Sequence, residues 1–181
     1  LVVIESKTLA SNYMDEFEEM WNGEFGSGEK IKYSKMQFNG KIIENYFCPE
    51  DNCEDHLLEL LNRAQNRIYF MVFSFTSYKI GEELIKNYHY GITVEGIFDR
   101  SQAGSEYSEY NKLKNSGLNV KRDNHKGFMH HKVFIVDDTV FLGSYNPTSS
   151  WNNKNDENIL IIYESELAEL FVEEFERIYE N

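Results

Sequence analysis

The run M-H-H-K-V-F-I-V-D-D-T-V-F-L-G-S-Y-N, Met129 to Asn146, decides the fold reading and carries chemistry with it. Val133, Phe134, Ile135 and Val136 are β-branched or aromatic, too few for a helix, and are stopped by Asp137-Asp138, which predicts a buried strand. Val140, Phe141 and Leu142 predict a second one. Alternate side chains on a strand share a face, so His130 and Lys132 point one way and His131 the other, and Ser144 and Asn146 share a face by the same rule. With a tight hairpin across Asp137, Asp138 and Thr139, the end of the second strand returns beside the start of the first. One imidazole, one ammonium, one hydroxyl and one amide then gather in one place.

Those groups suit phosphoryl chemistry. A neutral imidazole attacks phosphorus or takes up a proton near neutral pH, and a lysine offers compact positive charge to non-bridging oxygens. Asn146 and Ser144 donate further hydrogen bonds to developing negative charge. His125, His130 and His131 lie close in sequence, but His130 and His131 face opposite sides and no cysteine or carboxylate set completes a coordination sphere. No metal site and no cofactor is therefore expected, and His125 and His131 read as packed or solvated residues.

The spacing resembles the phospholipase D superfamily, whose signature is H-x-K-x4-D followed by G-S-x-N. It stands here as His130, Lys132, Asp137, Gly143, Ser144 and Asn146, with Asn155-Asp156-Glu157-Asn158 where relatives carry an acidic N-x-E-N element. The resemblance implies an α/β sandwich and phosphodiester hydrolysis through a covalent phosphohistidine without metal. It assigns His130 as nucleophile or general acid, Lys132 and Asn146 as phosphate ligands, Ser144 as an auxiliary donor and Glu157 as the carboxylate that holds the imidazole through its second nitrogen. Asp137 falls on the face opposite Lys132 and takes a structural role with Gly143. The stretch from Asp137 to Gly143 is one residue shorter than usual, which bears on where Ser144 lies. Such sites are assembled from two motifs, in two repeats of one chain or in a homodimer, and this chain holds one.

With 181 residues, 41% hydrophobic, the chain is long enough for one domain with a sizeable core. No run of 18 apolar residues marks a membrane span. The net charge of −13 disfavours general adhesion to nucleic acid or anionic membranes. The charge is uneven, however. Residues 100 to 132 hold Arg100, Lys112, Lys114, Lys121, Arg122, Lys126 and Lys132 against Glu106, Glu109 and Asp123. This basic segment leads straight into the motif and points to an anionic polymer or head group.

L-V-V-I-E-S-K-T-L-A-S-N-Y-M-D-E-F-E-E-M-W at the start echoes L-I-I-Y-E-S-E-L-A-E-L-F-V-E-E-F-E-R-I-Y near the end. Each reads as a strand, Glu-Ser and an amphipathic helix. Residues 1–21 are therefore expected to be the tail of a preceding repeat, 22–39 a Gly- and Ser-rich linker, and 40–181 a phospholipase D-like domain with one motif. Leu1 reads as a cut inside a longer polypeptide, and localisation depends on what precedes it: extracytoplasmic if a signal or anchor does.

In between, Lys41–Phe47 is expected as a strand, and a helix runs from about Glu54 to Asn66. Arg67–Phe75 is an almost continuously apolar central strand, followed by a helix from Thr76 to about Tyr88 and another strand over Ile92–Phe98. A helix over Tyr107–Ser116 and a short strand over Leu118–Arg122 follow. The strand–helix–strand order argues parallel pairing, and the expected architecture is a mixed, largely parallel central sheet flanked by helices on both faces. Cys48 and Cys53 admit a local disulfide or two free thiols. Trp151 suits base stacking or packing under a site wall.

S-F-T-S at 74–77 and F-D-R-S-Q at 98–102, with the H-H-K stretch, look most like the bacterial and archaeal nuclease-type branch. DNA is accordingly the first choice of substrate and phospholipid hydrolysis or transfer the second. A catalytically silent phosphate-binding or dimerisation module is the third.

Overall fold

The computed structural model describes residues 2–148 and 155–180, so Trp151 lies outside the described residues. Their elements are α1 (Lys7–Trp21), β1 (Lys35–Phe38), β2 (Lys41–Cys48), α2 (Cys53–Leu61), β3 (Arg67–Val72), α3 (Tyr78–His89) and β4 (Thr93–Phe98). They continue with α4 (Tyr110–Asn115), β5 (Asn119–Arg122), β6 (Lys132–Val136), β7 (Thr139–Gly143), β8 (Glu157–Tyr163) and α5 (Ser165–Tyr179).

The strands form one sheet in the order β1-β2-β8-β7-β6-β3-β4-β5. The mixed α/β class is as expected, but the sheet is not largely parallel. Parallel pairing is confined to β3–β4 and β4–β5, where α3 and α4 make the crossovers, and every other neighbour is antiparallel. Two-residue turns impose the reversal at β1–β2 and β6–β7, whereas β2–β8, β3–β6 and β7–β8 are antiparallel across longer connections.

One sheet face carries α2, α3 and α4 over Phe70, Phe98, Phe134 and Phe141, with Leu57, Leu61, Ile80, Leu84 and Leu113 filling the layer. The other carries α5, whose Ala168, Val172 and Phe175 pack on Met71, Val133, Ile135 and Val140. On that second face Leu9 of α1 joins Ile43, Leu160 and Ile162. β3 is thus covered on both sides, which its continuous apolar run requires.

Two boundaries differ from the sequence reading. The segment taken as linker contains β1, turned into β2 by Asn39 and Gly40, both at positive φ (50° and 78°). Residues 2–6, expected as a strand, have no regular structure. Val2 and Ile4 pack against the Leu9 cluster instead. α1 itself is tied to the domain: buried Asn12 donates to Tyr33 O (3.0 Å) and Asn45 Oδ1 (3.1 Å), and Asn45 donates onward to Ile159 O (3.3 Å). Cys48 and Cys53 are disulfide-bonded, with Cα atoms 5.8 Å apart. Among the described residues no helix is long and apolar enough to cross a membrane.

Candidate active site

The β6–β7 hairpin closes on the two-residue turn Asp137-Asp138, with Val136 opposite Thr139 and Asp137 at φ 49°. The Asp137 carboxylate accepts the backbone N–H groups of Gln65 (2.7 Å), Asn66 (2.9 Å) and Arg67 (3.0 Å), and so fastens the turn to the start of β3. This motif aspartate therefore stands at the end of the hairpin away from Lys132. Gly143 closes β7 where β8 comes nearest: a Cβ there would lie 2.0 Å from Asn158 O.

At the other end of the hairpin, Lys132 opens β6 opposite Val72. His130 precedes it on a loop held by two buried carboxylates at the ends of parallel neighbours. Asp99, just past β4, accepts Met129 N–H (2.9 Å) with one oxygen and the N–H groups of Ser101 (2.9 Å) and Gln102 (3.2 Å) with the other. Asp123, just past β5, accepts His125 N–H (2.7 Å) and Arg100 N–H (3.1 Å), and the Arg100 guanidinium donates back to His125 O (3.1 Å).

The alternation rule holds. Lys132 lies on the side of Phe134 and Val136, whereas His131 turns to the α5 side, its Nε2 3.6 Å from Glu174. Burial pushes the His131 pKa down, opposed by Glu174.

Lys132 Nζ lies 3.1 Å from His130 Nε2 and 3.3 Å from His130 O. Lysine has only donors, so Nε2 accepts, which places the proton of a neutral imidazole on Nδ1. Lys132 is 8% exposed, and among the described residues no carboxylate lies within ion-pair distance of it. Burial pushes its pKa below the ordinary lysine value, and the attraction of Glu157 offsets part of that. A buried ammonium without a counter-ion is costly and favours the arrival of an anion.

Phe73 is the residue the sequence reading missed. It looked like strand interior, but β3 ends at Val72, and Phe73 N–H donates to His131 O (2.9 Å). Its ring meets His130 edge-on at 4.6 Å, and Lys132 Nζ lies 5.3 Å from its centroid. Phe73 also borders a cleft of about 280 Å³ lined by Ser74, Gln102, Asn146, Thr148, Asn155 and Glu157. Among the described residues Asn146 Oδ1 and Thr148 Oγ1 are buried without hydrogen-bond partners. The Thr148 hydroxyl and the Asn146 amide N–H2 can donate to an anion beside Lys132, while Asn146 Oδ1, an acceptor, needs a donor.

Two expected roles look different in this geometry. Ser144 Oγ accepts Asn158 N (3.0 Å) and Nδ2 (3.2 Å), so it clasps β7 to β8 and keeps only its own proton for a ligand. Glu157 lines the cleft and acts on Lys132 through space, but no hydrogen bond or ion pair joins it to His130 among the described residues. No group of three or more His, Cys, Asp or Glu side chains among the described residues is placed to hold a metal ion.

A family model described as "Cardiolipin synthase, PLD-like domain" matches residues 57–179, which takes in the hairpin, the cleft and α5. The chain belongs to the phospholipase D superfamily. Mouse mitochondrial cardiolipin hydrolase is 36% identical over 126 residues, covering 69% of this chain and 57% of that protein. Phospholipase D of Rickettsia felis is 30% identical over 149 residues, 81% of this chain and 74% of that one. Among solved structures, Nuc from Salmonella typhimurium, a phospholipase D family member, superposes with a TM-score of 0.72 at 29% identity over 76% of this chain and 93% of Nuc. The phospholipase D-like fold thus takes in nearly all of Nuc and three quarters of this chain, while the chain spans little more than half the length of the mouse relative.

Proposed function

We propose that the chain supplies one half-site of a phosphodiesterase that works through a covalent phosphohistidine without a metal ion, with DNA as substrate. The observation that carries this reading is the buried Lys132 ammonium, with no carboxylate in ion-pair contact among the described residues, 3.1 Å from His130 Nε2 at the edge of the Asn146–Glu157 cleft. When a phosphodiester enters, its non-bridging oxygens take over the Lys132 hydrogen bond and free the Nε2 lone pair. Asn146, Thr148 and the Ser144 proton add donors where charge develops.

Two imidazoles complete the chemistry, and His130 is one of them. One attacks phosphorus, forming P–N as the P–O bond to the leaving group breaks, and the other gives its proton to the leaving oxygen. Water then attacks phosphorus while losing a proton to the second imidazole, and P–N breaks to restore the first. The second imidazole comes from another such motif, in a preceding repeat whose tail is residues 1–21 or in a second copy of the chain. In the assembled site Glu157 holds an imidazole through Nδ1.

DNA is favoured by the basic segment that delivers His130 and by the resemblance of residues 74–77 and 98–102 to the nuclease-type branch. Phospholipid is the second reading, since relatives carry the names cardiolipin hydrolase and phospholipase D and the same atoms serve any phosphodiester. A silent binding module is disfavoured because the sequence keeps His130, Lys132, Asn146 and Glu157. The test gives the full-length protein plasmid DNA and, separately, cardiolipin vesicles, both in EDTA. Strand scission with intact lipid is expected. Lipid cleavage with intact DNA would replace this reading with the second, and no turnover of either with the third.

A further inference from the structure

Cations are distributed unequally in this acidic chain. Lys32, Lys35, Lys41, Arg63, Arg67, Lys79, Lys86, Lys112 and Arg177 each pair with a carboxylate. Among the described residues Lys114, Lys121 and Arg122 do not, and they line a cleft of about 360 Å³ along β5, the outer edge of the sheet. Aromatic faces hold them in place of acids. Lys121 Nζ sits 3.8 Å from the Tyr179 ring centroid and donates to Tyr179 O (2.9 Å). The Arg122 guanidinium lies 4.7 Å from the Tyr110 ring and Lys114 Nζ 5.6 Å from it. Cation–π contacts position a charge without cancelling it, so this edge presents positive potential to solvent. Glu180 is the one acidic residue on its lining.

Sheet register connects this edge to the candidate active site. Arg122 pairs with Phe98, Phe98 with Val72 and Val72 with Lys132, so the two cations end one cross-strand row. They also share a face: Arg122 stands over Tyr110 and Lys132 follows the parity of Phe134, both on the α2–α4 side. Three strand spacings put them about 14 Å apart, within a few nucleotides of backbone. Arg100, whose guanidinium donates to His125 O, and Lys126 are exposed and lack a carboxylate partner among the described residues, and they lie in the loops between. Phe128 is 76% exposed on the same loop, its ring 6.2 Å from Phe73. An outward aromatic beside a file of unpaired cations is how proteins hold an unpaired strand, because every base offers a π-face.

We propose that the β5 edge is a second phosphate site, binding the backbone of a single nucleic-acid strand whose scissile phosphate lies at Lys132. The proposal rests on the nuclease reading and is tested separately from it, by fluorescence anisotropy of the full-length protein with a poly-dT oligonucleotide over a salt series. Lys121→Gln/Arg122→Gln should weaken binding roughly tenfold at low salt and flatten the slope of log K against log salt by about 0.7 per charge removed. The melting temperature should fall only slightly, from loss of the Tyr110 and Tyr179 contacts, and Lys121→Arg/Arg122→Lys should restore both binding and melting temperature. Unchanged affinity and slope would overturn the proposal. So would a loss of binding accompanied by a lowered melting temperature that the charge-keeping variant does not rescue. Loss of adsorption to cardiolipin vesicles with oligonucleotide binding intact would overturn it in favour of a lipid surface. If the oligonucleotide binds with the expected variant effects but is never cut, the second phosphate site stands and the nuclease reading fails.

Discussion

Lys132 Nζ and His130 Nε2 lie 3.1 Å apart on one side of the β6–β7 hairpin, a cation donating to an imidazole nitrogen. On the proposed reading this pair receives the phosphodiester. Lys132→Gln should lower kcat on the phosphodiester substrate by about 10²- to 10³-fold, the usual loss for a group that stabilises transition-state charge. Because the ammonium is buried without a carboxylate partner, the same change should leave thermal stability equal or higher. Kinetics and a melting curve on one preparation read both effects.

Glu157 is expected to influence the alkaline limit of activity through Lys132. Burial lowers the lysine pKa and Glu157 partly restores it, so the functional ammonium is lost as pH rises through that lowered value. Glu157→Gln removes the restoring attraction. The alkaline limb of the kcat/KM profile should therefore move to lower pH, and a limb that stays in place or moves up would show that Glu157 does not act on Lys132.

Asp137 and Asp99 are both carboxylates that accept several backbone N–H groups, but they should separate kinetically. Asp137→Ala strands three donors far from the cleft and should cost about 2–3 kcal/mol of stability while leaving kcat within a few-fold. Asp99→Ala releases Met129, the residue before His130, and should lower kcat as well as stability. Urea denaturation with kcat measured below the transition checks the pair.

Glu16 on α1 predicts how stability depends on pH. Burial, then Glu50, Glu19, Asp156 and Asp51, push its pKa up to about 7 from 4.5. The folded state then binds a proton that the unfolded state has released, so stability falls as pH rises from about 4.5 to about 7 and is flat above. Glu16→Gln should remove this decline and gain on the order of 1 kcal/mol above pH 7, after discounting for solvent screening. Chemical denaturation at several pH values measures it.

Much of this arrangement was legible in the chain. Alternation across Val133–Val136 put Lys132 and His131 on opposite faces, and the Asp137-Asp138 stop placed the hairpin turn. Residues 2–6 do not form the expected strand; Val2 and Ile4 instead bury their side chains against the Leu9 cluster. β1 itself was hidden by the Gly- and Ser-rich stretch before it, although Asn39-Gly40 is a strong two-residue hairpin signal. Phe73 escaped notice because an apolar run does not show where its strand ends. The roles of Asp99 and Asp123 depend on β4 and β5 ending side by side, a long-range consequence of parallel pairing. The cysteine spacing allowed both redox states, and only the three-dimensional structure brings Cys48 and Cys53 together.

The most direct test of the central claim is the rate of phosphodiester cleavage by the full-length protein in excess EDTA, wild type beside His130→Ala. A metal-free phosphohistidine route predicts a wild-type rate indifferent to the chelator and no turnover in the variant. A rate abolished by EDTA, or a His130→Ala protein that still turns over, would contradict it.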